Sequence, residues 1–206
     1  MKKILVCNGK GGTGKSTTSI LLAGATAESG QVVSIKDIDP QQTSHKWIEK
    51  ALSDVTHFSQ DATPKVIIVD SPPDIKFDQL HEEMLSADLI ILVMEPSWIN
   101  FETAADAAAV IDTLGVSWKT RILFNKVQVG TKMAKNLGEM EDRIGITALK
   151  NHLGQRQGYN HFYVYGWSYL SQKESDDVMK LAMEVMFLEP AMNEDIDENT
   201  MEVVNG

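Results

Sequence analysis

The stretch Gly9-Lys10-Gly11-Gly12-Thr13-Gly14-Lys15-Ser16-Thr17 constrains this chain more than any other. It follows an apolar run, Ile4 to Val6, and leads into an apolar-periodic segment, Ile20 to Ala27. Strand, glycine-rich turn and helix in that order make a phosphate-binding loop. Glycines let the backbone turn its N–H groups inward, and the helix beginning near Lys15 adds its positive end. A glycine-rich loop alone often marks only a tight turn. Here Gly9-x-x-x-x-Gly14-Lys15-Ser16 keeps the Walker A spacing, in the right context. The backbone from Gly9 through Gly11, Gly12, Thr13 and Gly14 to Thr17 is expected to cradle the phosphates of ATP or ADP. Lys15 reaches the β- and γ-phosphates, and the Ser16 hydroxyl ligates Mg²⁺.

The rest of the pattern supplies a sheet for such a loop. Apolar strands are expected at Lys3–Cys7, Gln31–Ile35, Lys65–Asp70, Asp88–Met94 and Thr120–Asn125, with short ones at Val55–Phe58 and Ile146–Leu149. Helices are expected at Ser16–Ser29, stopped by Gly30, and at Gln41–Ser53 with Trp47 and Ile48 inward. Others are read at Ile75–Ser86, Phe101–Leu114, Met133–Arg143, Tyr159–Tyr165 and Gln172–Phe187. Strands apolar throughout, alternating with helices, predict an α/β fold: a doubly wound, mostly parallel sheet flanked by helices on both faces. Residues 1–187 read as one domain, and residues 188–206, acidic and almost without aromatics, as a disordered tail.

Composition narrows the class. The 206 residues suit one domain with a sizeable core. The single cysteine, Cys7, excludes an internal disulfide and fits a reducing compartment. No apolar run reaches the length of a membrane span, and Met1-Lys2-Lys3-Ile4 lacks a signal-peptide core, so a cytoplasmic protein is expected. The five histidines show no metal spacing, and Phe162-Tyr163-Val164-Tyr165 reads as core rather than a base-stacking platform. The net charge of −10 is uneven: residues 188–206 carry six acids and no Lys or Arg, which leaves −4 for the body. From Lys119 to Arg156 eight basic residues face three acids, a net of +5. Such a segment either meets nucleic acid or is a solvated face.

Phosphoryl transfer is mainly positioning and charge neutralisation, so the site also needs carboxylates for Mg²⁺ and for water. Parallel strands deliver them at their carboxyl ends. Asp70 closes the run Val66-Ile67-Ile68-Val69 and suits a Walker B role, holding Mg²⁺ through water. A strand-end aspartate can also simply cap the next turn.

The second lysine of the loop brings a family into view. Lys10-Gly11-Gly12-Thr13-Gly14-Lys15-Ser16-Thr17 resembles the deviant Walker A box of the ParA/MinD ATPases, most of all the short plasmid-partition members. In that family the early lysine crosses the interface of an ATP-bound dimer to touch the partner's nucleotide. The resemblance gives that role to Lys10. Asp37-Ile38-Asp39-Pro40-Gln41 resembles the family's Asp-x-Asp-Pro-Gln switch, which implies that Asp39 orients the attacking water beside the metal and that Asp37 lies near Mg²⁺ or Lys15. The family usually continues with Gly, where Gln42 stands here. Asp70-Ser71-Pro72-Pro73 resembles its Asp-x-Pro-Pro box. Asn125, after the Ile122–Phe124 strand, stands where relatives place a residue that reads adenine, though a turn asparagine reads the same. The segment Leu153–Tyr159 with Gly166-Trp167-Ser168 loosely resembles a C-terminal box in which Arg156 faces phosphate, a partner subunit, nucleic acid or solvent. Residues 55–70 are too few for the extra helix that relatives often place before Walker B.

The resemblance implies an Mg-dependent ATPase that dimerises on ATP and uses hydrolysis to position or segregate DNA, or another large cargo. A small DNA-binding or adaptor protein is the expected partner, with non-specific DNA and without membrane. The alternative is a nucleotide-switched regulatory or DNA-transfer accessory protein working through protein contacts alone. Iron–sulfur relatives need cysteine pairs, which Cys7 cannot supply. Membrane-bound relatives end in a basic amphipathic helix, whereas this sequence ends acidic.

Overall fold

The computed structural model describes residues 1–51 and 63–189. Five strands form one sheet: β1 (Lys2–Cys7), β2 (Val33–Asp37), β3 (Val66–Asp70), β4 (Leu89–Met94) and β5 (Thr120–Phe124). Their order is β2-β3-β1-β4-β5, and every neighbouring pair is parallel. Eight α-helices accompany them among the described residues: α1 (Lys15–Glu28), α2 (Thr43–Ala51), α3 (Asp78–Ser86), α4 (Trp98–Thr113), α5 (Lys132–Lys135), α6 (Leu137–Ile144), α7 (Gln157–Tyr165) and α8 (Gln172–Phe187).

The period of two along each strand sorts the core into two halves. Ile4, Val6, Leu89, Ile91, Val93 and Leu123 face one side, under Leu21 and Leu22 of α1, Trp47 of α2, Phe162 of α7, and Leu181 and Val185 of α8. Leu5, Cys7, Ile90, Leu92, Met94 and Phe124 face the other, under Leu80 and Met84 of α3, Ala104, Ala107 and Ile111 of α4, and Met140 of α6. β4 is buried at all six positions, which explains its unbroken apolar sequence. Strand order reverses at β1, whose neighbours are β3 on one side and β4 on the other. Ligands of open α/β sheets bind beyond the carboxyl end of the strands at such a reversal. The glycine-rich loop leaves β1 at that point.

Several boundaries differ from the sequence reading for local reasons. β2 runs two residues further than expected and so carries Asp37 to the sheet edge. α4 starts at Trp98 because the Ser97 hydroxyl accepts from the Asn100 N–H and caps it. The helix expected at Met133–Arg143 is two helices, α5 and α6, divided at Asn136, which ends one and begins the other. The short strand expected at Ile146–Leu149 is a single bridge between Ala148 and Ile122. Ile122 exchanges hydrogen bonds with Thr147 O and Leu149 N, while the next donor a parallel ladder would use, the Asn151 N–H, is taken by Glu184 Oε2 at 2.9 Å, so no ladder continues. The strand expected at 55–58 and the tail from 190 fall outside the described residues. No helix among the described residues is long and apolar enough to cross a membrane.

Candidate active site

The loop from Asn8 to Gly14 is held open from several sides. Asn8, fully buried, donates from Nδ2 to Val93 O at 2.6 Å and accepts the Lys10 N–H at 3.1 Å, tying the loop to β4. Gly12 and Gly14 have φ of +78° and +96°, where only glycine is unstrained. At Gly14 the space is closed as well: a Cβ there would stand 2.1 Å from Asn125 Nδ2. Asn125 sits just past β5, donates to Thr13 O at 2.8 Å, and accepts the Lys126 N–H. Its amide therefore braces the loop from the base of the sheet. Lys15 opens α1 and is 6 % exposed. Its Nζ donates to Lys10 O at 3.0 Å. Burial lowers its pKa, opposed by the charges of Asp70, Cys7 and Asp39.

The carboxylates arrive on neighbouring strands. Asp37 and Asp70 are register partners at the ends of β2 and β3, and Val6 of β1 pairs with Asp70 on its other side. Asp70 is fully buried. Its Oδ1 accepts from Ser19 Oγ at 3.2 Å, and its Oδ2 is buried without a hydrogen-bond partner. Burial pushes this carboxyl up to about 6, with the Ser16 hydroxyl opposing, the Asp37 charge adding, and the Ser44 and Ser19 hydroxyls opposing. Asp37 is saturated: Oδ1 accepts from Asp39 N, and Oδ2 accepts from Ser44 N, Ser44 Oγ and His45 N at 2.7–3.0 Å. It caps the start of α2 and fixes the turn that presents Asp39. Asp39 is half-buried and lines a cavity of about 340 Å³ together with Gly11, Gly12, Gly14, Lys15, Ser16 and Thr17. Glycines, lysine, hydroxyls and carboxylate thus converge on one cleft. A larger cavity of about 490 Å³ lies at the opposite sheet edge between α1 and α8, lined by Met179, Met183 and Met186, and touches none of these residues.

Gln42 stands where the switch motif usually has glycine, and its φ is +50°. A glutamine here adopts a left-handed backbone that favours glycine. Lys10 does not enter the cleft: its Nζ donates to Asn100 Oδ1 of α4 at 2.5 Å. Arg156 lines a neighbouring cavity of about 280 Å³ with Asn125, Lys126 and Tyr159, and its Nε is buried without a partner. Other basic residues of the 119–156 segment serve the fold. Lys119 donates to Leu85 O and Ala87 O, and Arg121 to Trp118 O and Thr120 O. Lys126 donates to Gly12 O at 2.7 Å. Lys132, Lys135 and Lys150 are exposed.

This arrangement matches a family model, the CobQ/CobB/MinD/ParA nucleotide-binding domain, over residues 4–163. The chain belongs to this family. It is a P-loop ATPase of the ParA/MinD type, with the five-stranded parallel sheet of that fold. Among curated relatives, protein ParA of Rhizobium radiobacter is 25 % identical over 89 % of this chain and 92 % of its own length. The maintenance of carboxysome distribution protein A of Halothiobacillus neapolitanus is 22 % identical over 89 % of this chain and 95 % of its own. Among solved structures, a putative plasmid partition protein of Borrelia burgdorferi bound to AMPPNP superposes with a TM-score of 0.67 at 14 % identity, covering 89 % of this chain and 99 % of that one. A Cyanothece McdA variant in complex with ATP gives 0.72 at 13 % identity, covering 94 % and 99 %.

Some site residues carry no motif in the sequence. Asn8 had a position but no role, because its partner Val93 O is a backbone atom distant in sequence. Ser44 was legible only as a polar residue near a helix start, and Ser19 only as one serine inside α1. Lys126 and Asn100 reach the loop through folding alone. Among the described residues no three His, Cys, Asp or Glu side chains gather to hold a metal by themselves. A Mg²⁺ ion needs only one or two protein oxygens and completes its shell with phosphate and water. The unpartnered Asp70 Oδ2 is an oxygen that could hold such an ion.

Proposed function

We propose that this ATPase binds Mg·ATP in the cleft, forms a nucleotide-bound dimer, and uses hydrolysis to position or segregate DNA or another large cargo. The observation that carries the reading is one loop with two lysines in different places: Lys15 buried at the head of α1, and Lys10 held outside the cleft on α4. A phosphate-binding loop needs only the first. Relatives of similar length include a protein ParA and a protein named for the maintenance of carboxysome distribution.

In this reading Lys15, with the loop backbone from Gly9 to Thr17, neutralises the β- and γ-phosphates. The Ser16 hydroxyl and Asp70 hold Mg²⁺, which when bound offsets phosphate charge. Asp39 receives the attacking water. Asp37, with its oxygens already taken, acts by holding the Asp39 turn and by raising the electrostatic demand at Asp70. Asn125 lines the side cavity where the base is placed, beside Arg156.

The test is a set of three variants of the purified protein with Mg·ATP. Lys15→Ala is expected to lose nucleotide binding. Asp39→Ala is expected to bind ATP and turn it over at least a hundredfold more slowly, on the order of the loss typical when a water-positioning group is removed. Lys10→Ala is expected to bind nucleotide yet remain monomeric with a slowly hydrolysed ATP analogue, read by light scattering. Normal turnover by Asp39→Ala, or normal dimerisation by Lys10→Ala, would remove that residue from its role.

A further inference from the structure

Lys10 is anchored along its whole length. Its N–H donates to Asn8 Oδ1, its carbonyl accepts from Lys15 Nζ at 3.0 Å, and its ammonium donates to Asn100 Oδ1 at 2.5 Å. Asn100 is itself fixed. It lies in the first turn of α4, is 6 % exposed, and its N–H is accepted by the capping hydroxyl of Ser97 at 3.3 Å. A side-chain amide aimed at a lysine from a rigid helix end is a specific receptor for that ammonium. Asn100 continues the buried stripe of Ala104, Ala107, Ala108 and Ile111, a position where an apolar side chain would pack and a buried amide needs a partner. The residues just before it, Trp98 and Ile99, are 47 % and 74 % exposed, so the same helix end presents apolar surface beside the anchored lysine.

We propose that Asn100 is a positioning residue that holds Lys10 within its own chain and so sets the threshold for ATP-dependent dimerisation. The proposal rests on the reading that Lys10 acts across a dimer. For Lys10 to meet a second chain's phosphates it must exchange the Asn100 oxygen for them. A neutral amide oxygen is a good acceptor for an ammonium but a poorer one than a phosphate, so the exchange runs forward only when nucleotide is presented. Until then the fraction of chains with a free Lys10 is small, and the apparent dimer affinity falls by that fraction. A dimer releases two such contacts, so the effect enters twice.

The experiment measures the monomer–dimer dissociation constant by light scattering, at saturating slowly hydrolysed ATP analogue. Asn100→Leu keeps the volume but cannot accept, and is expected to tighten dimerisation about tenfold, by releasing the held fraction. Asn100→Asp replaces the amide with a carboxylate that pairs with Lys10 more strongly, and is expected to weaken it about tenfold. In the Lys10→Ala background, which stays monomeric, neither change restores a dimer at the highest protein concentration reached. Opposite shifts, with no dimer restored without Lys10, support the proposal. Shifts of the same sign in both variants, a dimer restored without Lys10, or no shift at all would overturn it. If Lys10→Ala alone dimerises like the parent, the cross-dimer reading falls and this proposal with it. If Lys10→Ala is impaired while both Asn100 variants match the parent, the proposal alone falls. A thermal melt of each variant checks folding, and Asn100→Asp, the closer in shape, carries the comparison if Asn100→Leu is unstable.

Discussion

Asp70 pits stability against function in a single side chain. Burial raises its pKa to about 6, so the folded chain binds that proton more tightly than the unfolded one. Its contribution to stability is full in acid and is lost as pH rises through about 6, after which the fold holds a buried charge. Asp70→Asn is therefore expected to stabilise the metal-free protein at neutral pH by about 3 kcal/mol, given about 1.4 kcal/mol per pKa unit and a rise from 3.8 to about 6. The gain should shrink to nothing at about pH 3, below the unfolded carboxyl's own pKa, while ATP turnover is lost. Urea unfolding in a chelator at the two pH values checks it, and equal ΔΔG at both would contradict the origin given. Gln42 offers a second case. With φ of +50° it sits where glycine is unstrained, so Gln42→Gly is expected to stabilise by up to about 1 kcal/mol and Gln42→Val to destabilise by more. The sequence shows Gln42 as a departure from a motif but not that it stands in the left-handed region. A dihedral angle leaves no mark on a single residue letter.

At the scale of elements, the sheet and the larger helices were legible because period and capping are local. β4 is continuous Leu-Ile-Ile-Leu-Val-Met, and α8 runs over the residues expected, opened by a capping box of Ser171 and Glu174. What was illegible depends on partners far along the chain. Residues 146–149 have the composition of a strand, yet Glu184 takes the Asn151 amide that would carry the ladder on. The Met133–Arg143 pattern gave one helix because apolar spacing does not show a break at Asn136. Helix contacts also set limits that propensity would miss. Gly24 lies mid-helix in α1, where alanine would ordinarily gain about 1 kcal/mol. A Cβ there would stand 2.7 Å from Phe162 Cζ of α7 and 3.3 Å from the Trp167 ring. Gly24→Ala is accordingly expected to lower stability by about 1–3 kcal/mol, visible as a lower melting temperature. A neutral or stabilising result would show that α7 can withdraw from α1 without cost. Glu83 of α3 ties two strands from the other face, pairing with Lys3 of β1 at 2.6 Å and Lys36 of β2 at 2.5 Å.

For the whole molecule, charge decides the cargo question. The reading of residues 119–156 as a basic stretch was correct in sequence and only partly so in space. Lys119 and Arg121 are spent on backbone carbonyls, Lys126 on the phosphate loop, and Arg143 pairs with Glu139. Arg156 lines the cavity beside the loop, which leaves Lys132, Lys135 and Lys150 exposed, and two copies of such a set in a dimer would neutralise a handful of phosphates. We expect weak, sequence-independent duplex binding that appears only with ATP, with log affinity falling by about 0.9 per phosphate per log unit of salt. It should strengthen when residues after Leu188, which carry six acids, are removed. A filter-binding titration at low salt decides it. No affinity for any duplex, with or without those residues, would favour the alternative in which nucleotide state switches a contact with a protein partner.

The placement of β1 has a consequence for how the molecule comes into being. Of the five strands of this sheet β1 is made first, yet its two neighbours are β3 and β4, which end at Asp70 and Met94. The loop's last brace, from Asn125 to Thr13, spans 112 residues. At a synthesis rate of roughly 5–20 residues per second, the phosphate loop spends several seconds as unpaired chain before its seat exists. The part of the sequence that is easiest to read is thus among the last to acquire a shape, and a nascent chain cannot close the loop's seat until the 112 residues that separate Thr13 from Asn125 have been made.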